Sequence, residues 1–124
     1  MSGASDIITV GLSSEANDML DELKELGIFA DKMDGYRFAV ALAIAQGVKP
    51  PEIVKRQTFL NVGSLDPDQM LRRTVEALMS DMLNETSVYR LVERLADWGL
   101  RELHAQAKAG DIDFVGLLGQ VEAV

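Results

Sequence analysis

The run Phe38-Ala39-Val40-Ala41-Leu42-Ala43-Ile44-Ala45 constrains the fold most. It reads as the middle of a helix from about Asp34 to Gln46, and a helix without a polar face is buried on all sides. Eight apolar residues are too few to span a bilayer. Asp31 or Asp34 can cap the helix start. Gly47 closes it as a left-handed C-cap, and Pro50-Pro51 prevents continuation. Gly35, near the start, marks close packing.

A buried helix needs covering elements, and the preceding residues supply two. Ile8, Val10 and Leu12 alternate onto one face of a short strand, with Ile7, Thr9 and Gly11 on the other. The pair Ser13-Ser14 then offers an N-cap, and Glu15 sets a carboxylate against the helix dipole. Ala16, Met19, Leu20, Leu23 and Leu26 follow at three- and four-residue spacing, so this helix is amphipathic. Gly27 ends it.

Strand, amphipathic helix and buried helix in that order form the plan of a ribbon-helix-helix unit. A lone strand cannot satisfy its own ladder, so the strand is expected to pair across a two-fold axis with another chain, or to join another sheet. Ile8, Val10 and Leu12, together with Trp98, are the oligomer-interface candidates. Base-reading strands of this plan carry long polar or basic side chains. Here the outward set offers only Thr9; Ile7 and Gly11 have no hydrogen-bonding side chain.

The second half reads as helical. Gln57 to Leu65 is an irregular or strand-like excursion. Asp66-Pro67 starts a helix, with Asp66 as N-cap and Pro67 at the first helical position, and Met70, Leu71, Val75, Leu78, Met79 and Met82 carry it to about Leu83. The longest helix runs from about Ser87 to Ala107 with the stripe Val88, Leu91, Val92, Leu95, Gly99 and Leu103. Gly99 lies on the buried line, where close approach of another segment is expected. Asp97 and Arg101 make a four-residue pair on the outside. Ile112 to Leu118 starts a last short helix. The whole is expected to be mainly α, one domain over 1–124. A short N-terminal strand and about five helices divide into a ribbon-helix-helix-like part (1–48) and a helical C-terminal half (49–124).

Charge bears on partners. The chain has 124 residues and a net charge of −8, the wrong sign for a typical duplex-binding module. From Lys49 to Arg73 the balance turns over: Lys49, Lys55, Arg56, Arg72 and Arg73 face only Glu52, Asp66 and Asp68. These five bases are the DNA-binding candidates, or else they pair with the acidic helices of a neighbouring subunit. The first helix carries Glu15, Asp18, Asp21, Glu22 and Glu25 against Lys24, a solvated face or a docking face for a basic partner.

Chemistry-bearing motifs are few. There is no cysteine, and His104 is the single histidine, so a zinc site of ordinary composition is not expected. Glu93 and Asp97 stand one turn apart, as metal ligands can, but Arg90, Arg94 and Arg101 around them favour ion pairing. Trp98 reads as a core or interface anchor, because a base-stacking platform comes with basic neighbours. No enzyme, cofactor or metal is expected. The first six residues lack the pattern of a signal peptide, so a cytoplasmic protein is expected.

The chain resembles the small E component of the Dnd DNA-phosphorothioation system. The resemblance rests on Leu12-Ser13-Ser14-Glu15 with Leu20, Leu23 and Leu26, on the apolar helix from Arg37 to Ala43, on Arg56-Gln57-Thr58-Phe59-Leu60, and on Leu95 to Leu103. It covers nearly the whole chain in order. The resemblance implies an oligomeric, non-catalytic accessory protein that works with protein partners of a DNA-modification or phage-defence system. It also implies contact with the backbone of DNA, notably nicked duplex, which the acidic balance disfavours. The alternative is a ribbon-helix-helix repressor or antitoxin.

Overall fold

The computed structural model describes residues 6–109. The helix expected over about 112–118 lies outside them. In chain order come strand β1 (Thr9–Leu12), helices α1 (Ser14–Glu25) and α2 (Lys32–Gln46), strand β2 (Gln57–Asn61), the single turn α3 (Val62–Leu65), and helices α4 (Met70–Leu78) and α5 (Val88–Ala109). A 3-10 turn (Ser80–Asn84) joins the last two. The protein is mainly α with a short N-terminal strand.

Local chemistry sets most boundaries. Ser13 Oγ accepts from the Ala16 amide at 3.1 Å, and Asp31 Oδ1 from the Met33 amide at 2.7 Å, so these two cap α1 and α2. Gly27 and Gly47 follow the two helices with φ of 78° and 65°, where a side chain would be strained. The expected start at Pro67 is corrected. Gln69 takes φ 61° and delays α4 to Met70. Asp66 still caps it from a distance, accepting from the amides of Leu71 (2.9 Å) and Arg72 (3.0 Å). The helix also stops at Leu78, short of Leu83, because Met79 leaves helical geometry and turns into the core. At the start of α5, Asp6 Oδ2 accepts from the Tyr89 amide at 3.3 Å, while the buried Ser87 Oγ has no partner among the described residues.

One core draws on both halves of the chain, with α2 lying along α5. The expected stripe on α5 is buried throughout. At Gly99 the two helices meet: an added Cβ would stand 2.2 Å from the Ala39 carbonyl oxygen. Gly35 also packs closely, against the side chains of Leu20 and Phe29. Burial of α2 on all sides is corrected in one respect. Phe38, Ala41 and Ala45 form a half-buried line, and Phe38 and Ala41 border a shallow groove shared with Leu65, Met70 and Leu71.

The strand's partner is the larger correction. β1 pairs antiparallel with β2 of the same chain, Thr9 opposite Asn61 and Leu12 opposite Gln57, with a bulge that leaves Phe59 over. Val10 and Leu12, expected at an interface between chains, are buried in the chain's own core. Ile8 lies outside it at 80 % exposure. Gly11, expected to face outward, is buried. No helix among the described residues is long and apolar enough to cross a membrane.

Candidate functional site

The second edge of β1 is where the charged residues of α5 converge. Backbone groups alternate sides along a strand. Ile8 turns towards β2, its carbonyl accepting from the Val62 amide at 2.9 Å. Thr9, Gly11 and Ser13 therefore turn away, and each is met by a side chain. The Gly11 amide donates to Glu93 Oε2 and the Ser13 amide to Asp97 Oδ2, both at 2.8 Å. The Gly11 carbonyl accepts from the Tyr36 hydroxyl at 3.0 Å, and the Thr9 carbonyl from Arg56 Nη2 at 2.9 Å. Two strand residues span about 6.7 Å and four helical residues about 6 Å, so carboxylates one turn apart on α5 match alternate strand amides. Four backbone groups of this edge are thereby taken up by side chains of the same chain.

Each carboxylate is also neutralised. Glu93, 2 % exposed, pairs with Arg56 Nε at 2.9 Å. Asp97, 7 % exposed, pairs with Arg101 Nε at 2.9 Å, and Arg101 Nη2 donates to Ser13 Oγ at 3.0 Å. The Asp97–Arg101 pair was expected on the outside; its carboxylate is inside because it holds the Ser13 amide. The arginines expected around Glu93 are replaced by Arg56, which arrives from the far side of β1.

Tyr36 is fully buried, and burial first, then the charges of Glu93 and Asp97, push its phenol well above its ordinary value. Tyr89, whose hydroxyl donates to Asp66 Oδ2 at 2.7 Å, is pushed up to about 12 by burial and that bond. The unfolded chain releases phenolic protons near pH 10, while the folded chain holds them. Stability is therefore full below about pH 10 and falls above it. Replacing Tyr36→Phe is expected to cost about 1–2 kcal/mol at neutral pH, since the Gly11 carbonyl loses its donor. The same change should make the alkaline fall in melting temperature shallower. An alkaline limb as steep as wild type would show that Tyr36 ionises as it does in the unfolded chain.

The five expected DNA contacts are divided. Arg56 is withdrawn into the clamp on β1. Arg72 lies between Asp6 (3.7 Å) and Glu76 (3.6 Å) and over the Tyr89 ring. Arg73 is exposed on α4. Lys49 and Lys55 are exposed at the two ends of the 49–56 connection, and neither has a carboxylate partner among the described residues. Between them sits Arg94, which donates to the carbonyls of Pro50 (2.7 Å) and Pro51 (3.4 Å) and so ties the connection to α5. Arg94 borders one hollow with Lys49, another with Lys55 and a third with Arg90. Lys49, Lys55, Arg90 and Arg94 thus make a ledge of four cations that sequence order had dispersed, with Asp81 and Glu85 lining the hollow at Lys49 and Glu52 the other two. Arg90 and Arg94, expected with Arg101 to pair with Glu93 and Asp97, pair with neither among the described residues.

Above the ledge runs a groove of about 470 Å³. One wall is the α5 face Arg94, Asp97, Trp98 and Arg101; the other is the connection from Pro51 to Lys55, with Gln57; the start of α1 closes one end. Trp98 is half-buried, one side against the core and one lining this groove. The basic neighbours missing from a linear reading are present in space. The helical spacing of Arg94, Trp98 and Arg101 was the signal that could have found them.

Further along α5, His104 Nε2 lies 2.9 Å from Glu22 Oε1, with Lys108 at 3.3 Å from Oε2. The bond to His104, then that to Lys108, holds the Glu22 carboxyl below its usual range. These contacts tie α5 to α1. Among the described residues, no group of three or more histidines and carboxylates is placed to hold a metal ion. Set against models of protein families, curated proteins and solved structures, the chain matches none of them.

Proposed function

We propose that this protein is a non-enzymatic, oligomeric accessory of a DNA-modification or phage-defence system of the phosphorothioation type, touching the DNA backbone through the ledge of four cations. The observation that carries the reading is the ledge itself. Lys49, Lys55 and Arg90 stand exposed around Arg94 without carboxylate partners among the described residues, whereas Lys32, Arg56, Arg72, Arg101 and Lys108 each pair with an acid of the chain. The charged groups at the centre, Glu93, Asp97, Arg56 and Arg101, are engaged in holding β1, which suits a binding protein better than a catalyst. Ile8 and Trp98 remain at the surface as interface candidates. The repressor or antitoxin alternative would need β1 to pair across a two-fold axis, and both edges of β1 are engaged within the chain.

Binding to nicked and intact duplexes at low and moderate salt tests this. Wild type should bind weakly, in the range of non-specific complexes (about 10⁻⁴–10⁻⁶ M), with affinity falling steeply as salt rises. Lys49→Glu/Lys55→Glu should reduce the salt slope by about 2 and abolish binding at moderate salt, while Arg73→Glu on α4 leaves it unchanged. Arg56→Glu is unsuited to the test because it sets a second carboxylate against Glu93. Absence of binding even at low salt would remove the DNA contact and leave a protein-binding role, with the acidic face of α1 as the surface to probe.

A further inference from the structure

We propose that the groove over Trp98 receives one unstacked nucleotide of a single-stranded nucleic acid, with its base on the indole and its flanking phosphates on Lys55 and Arg94. This deepens the reading above and rests on it: the ledge holds backbone, and the groove adds contact with a base.

Three observations combine. Arg94, Trp98 and Arg101 stand at positions i, i+4 and i+7 of α5, so two guanidinium groups flank one indole along a single helix face. Cations beside an aromatic platform are how unpaired nucleic acid is held without sequence preference; here Lys55, Arg94 and Arg101 share the groove with Glu15, Glu52 and Asp97, and Arg101 already pairs with Asp97 (2.9 Å) and Glu15 (3.8 Å). Across the groove Lys55 adds a third cation, and Ile53 and Val54 supply an apolar wall, Val54 being 96 % exposed. The volume, about 470 Å³, lies within the range of small-ligand sites.

Charge also sets the strength. Asp97 is already satisfied by Arg101 and the Ser13 amide, so it does not oppose a phosphate as a free carboxylate would. Glu15 and Glu52 are exposed at the rim and do oppose it. Affinity should therefore be modest, strongly salt-dependent, and improved by removing a rim carboxylate.

Trp98 is the one tryptophan of the chain, so its emission reports on this groove alone. Titration with an oligothymidylate of about ten nucleotides is expected to quench that emission. An abasic oligomer of equal length should bind roughly tenfold more weakly, the usual worth of one stacked base. Trp98→Phe should retain most of the binding and Trp98→Ala lose it, while Glu52→Gln tightens it at low salt. Equal affinity for the thymidylate and abasic oligomers, or binding with no change in emission, would overturn the proposal. If duplex binding is nevertheless lost in Lys49→Glu, the ledge stands and the groove alone fails. If neither single strand nor duplex binds, both fail together.

Discussion

Gly99→Ala is expected to destabilise the protein by about 3 kcal/mol, at the upper end of what overpacking a core costs. For a chain of this size that lowers the melting temperature by roughly 10 °C. Helix propensity argues in the opposite direction, since alanine is favoured over glycine within a helix by about 1 kcal/mol. Sterics decide the sign. The new Cβ would lie 2.2 Å from the Ala39 carbonyl oxygen, 2.7 Å from its carbon and 2.8 Å from the Ala39 Cα. All three are backbone atoms of α2, which no side-chain rotation can move aside. Gly35→Ala should cost less, because its nearest neighbour is the flexible end of Leu20 at 2.7 Å. Gly63→Ala, with nothing within 4 Å, should leave stability unchanged or slightly raised. Thermal melts of the three variants give the ranking. A Gly99→Ala protein as stable as wild type would mean that α2 and α5 can separate without loss.

Glu93→Ala is expected to cost about 3–5 kcal/mol, the scale of removing one partner from a buried ion pair. Two groups are stranded by the change: the Gly11 amide on β1 and the Arg56 guanidinium. The pair is not thereby worth that much in itself, because bringing both charges out of water offsets much of their attraction. The double variant Glu93→Ala/Arg56→Met should therefore be more stable than the sum of the two single losses implies. Additive losses in denaturant titrations would show that Glu93 and Arg56 act on β1 separately. Asp97 holds the next amide along the strand in the same way, with Arg101 as its partner.

These two predictions separate what was legible from what was not. The Gly99 contact was visible in outline, because a glycine on the apolar line of an otherwise good helix has few other uses. That Ala39 would be the contact was not visible, since nothing in the residues around either position specifies the other. Glu93 and Asp97 were legible as a one-turn carboxylate pair, and the nearby arginines suggested ion pairing. Their destination, the free edge of β1, was not. The partner of the first strand was open between another chain and another sheet, and the residues of Gln57–Asn61 did not decide it. That segment, bulged at Phe59 and followed at once by a helical turn, lacks the clean alternation that marks a strand.

For the candidate site the division is sharper. Lys49 and Lys55 were singled out from local charge, and they are exposed on the ledge. Arg56 and Arg72 were singled out on the same ground and are held by carboxylates, Arg56 by one distant in sequence and Arg72 by one distant and one near. Arg94 and Arg101 stand one turn to either side of Trp98 in the sequence, and Lys55 joins them in the groove from another element.

Sequence by itself determined α1, α2 and α5, the caps of the first two and their apolar faces, because these depend on spacing within one turn and on residues that favour one backbone conformation. Only the tertiary structure decided which strand β1 would join, which charges would be buried and which cations would stay free. Those outcomes depend on distances between residues tens of positions apart, and a charge near the surface looks the same in a sequence whether it faces water or a carboxylate.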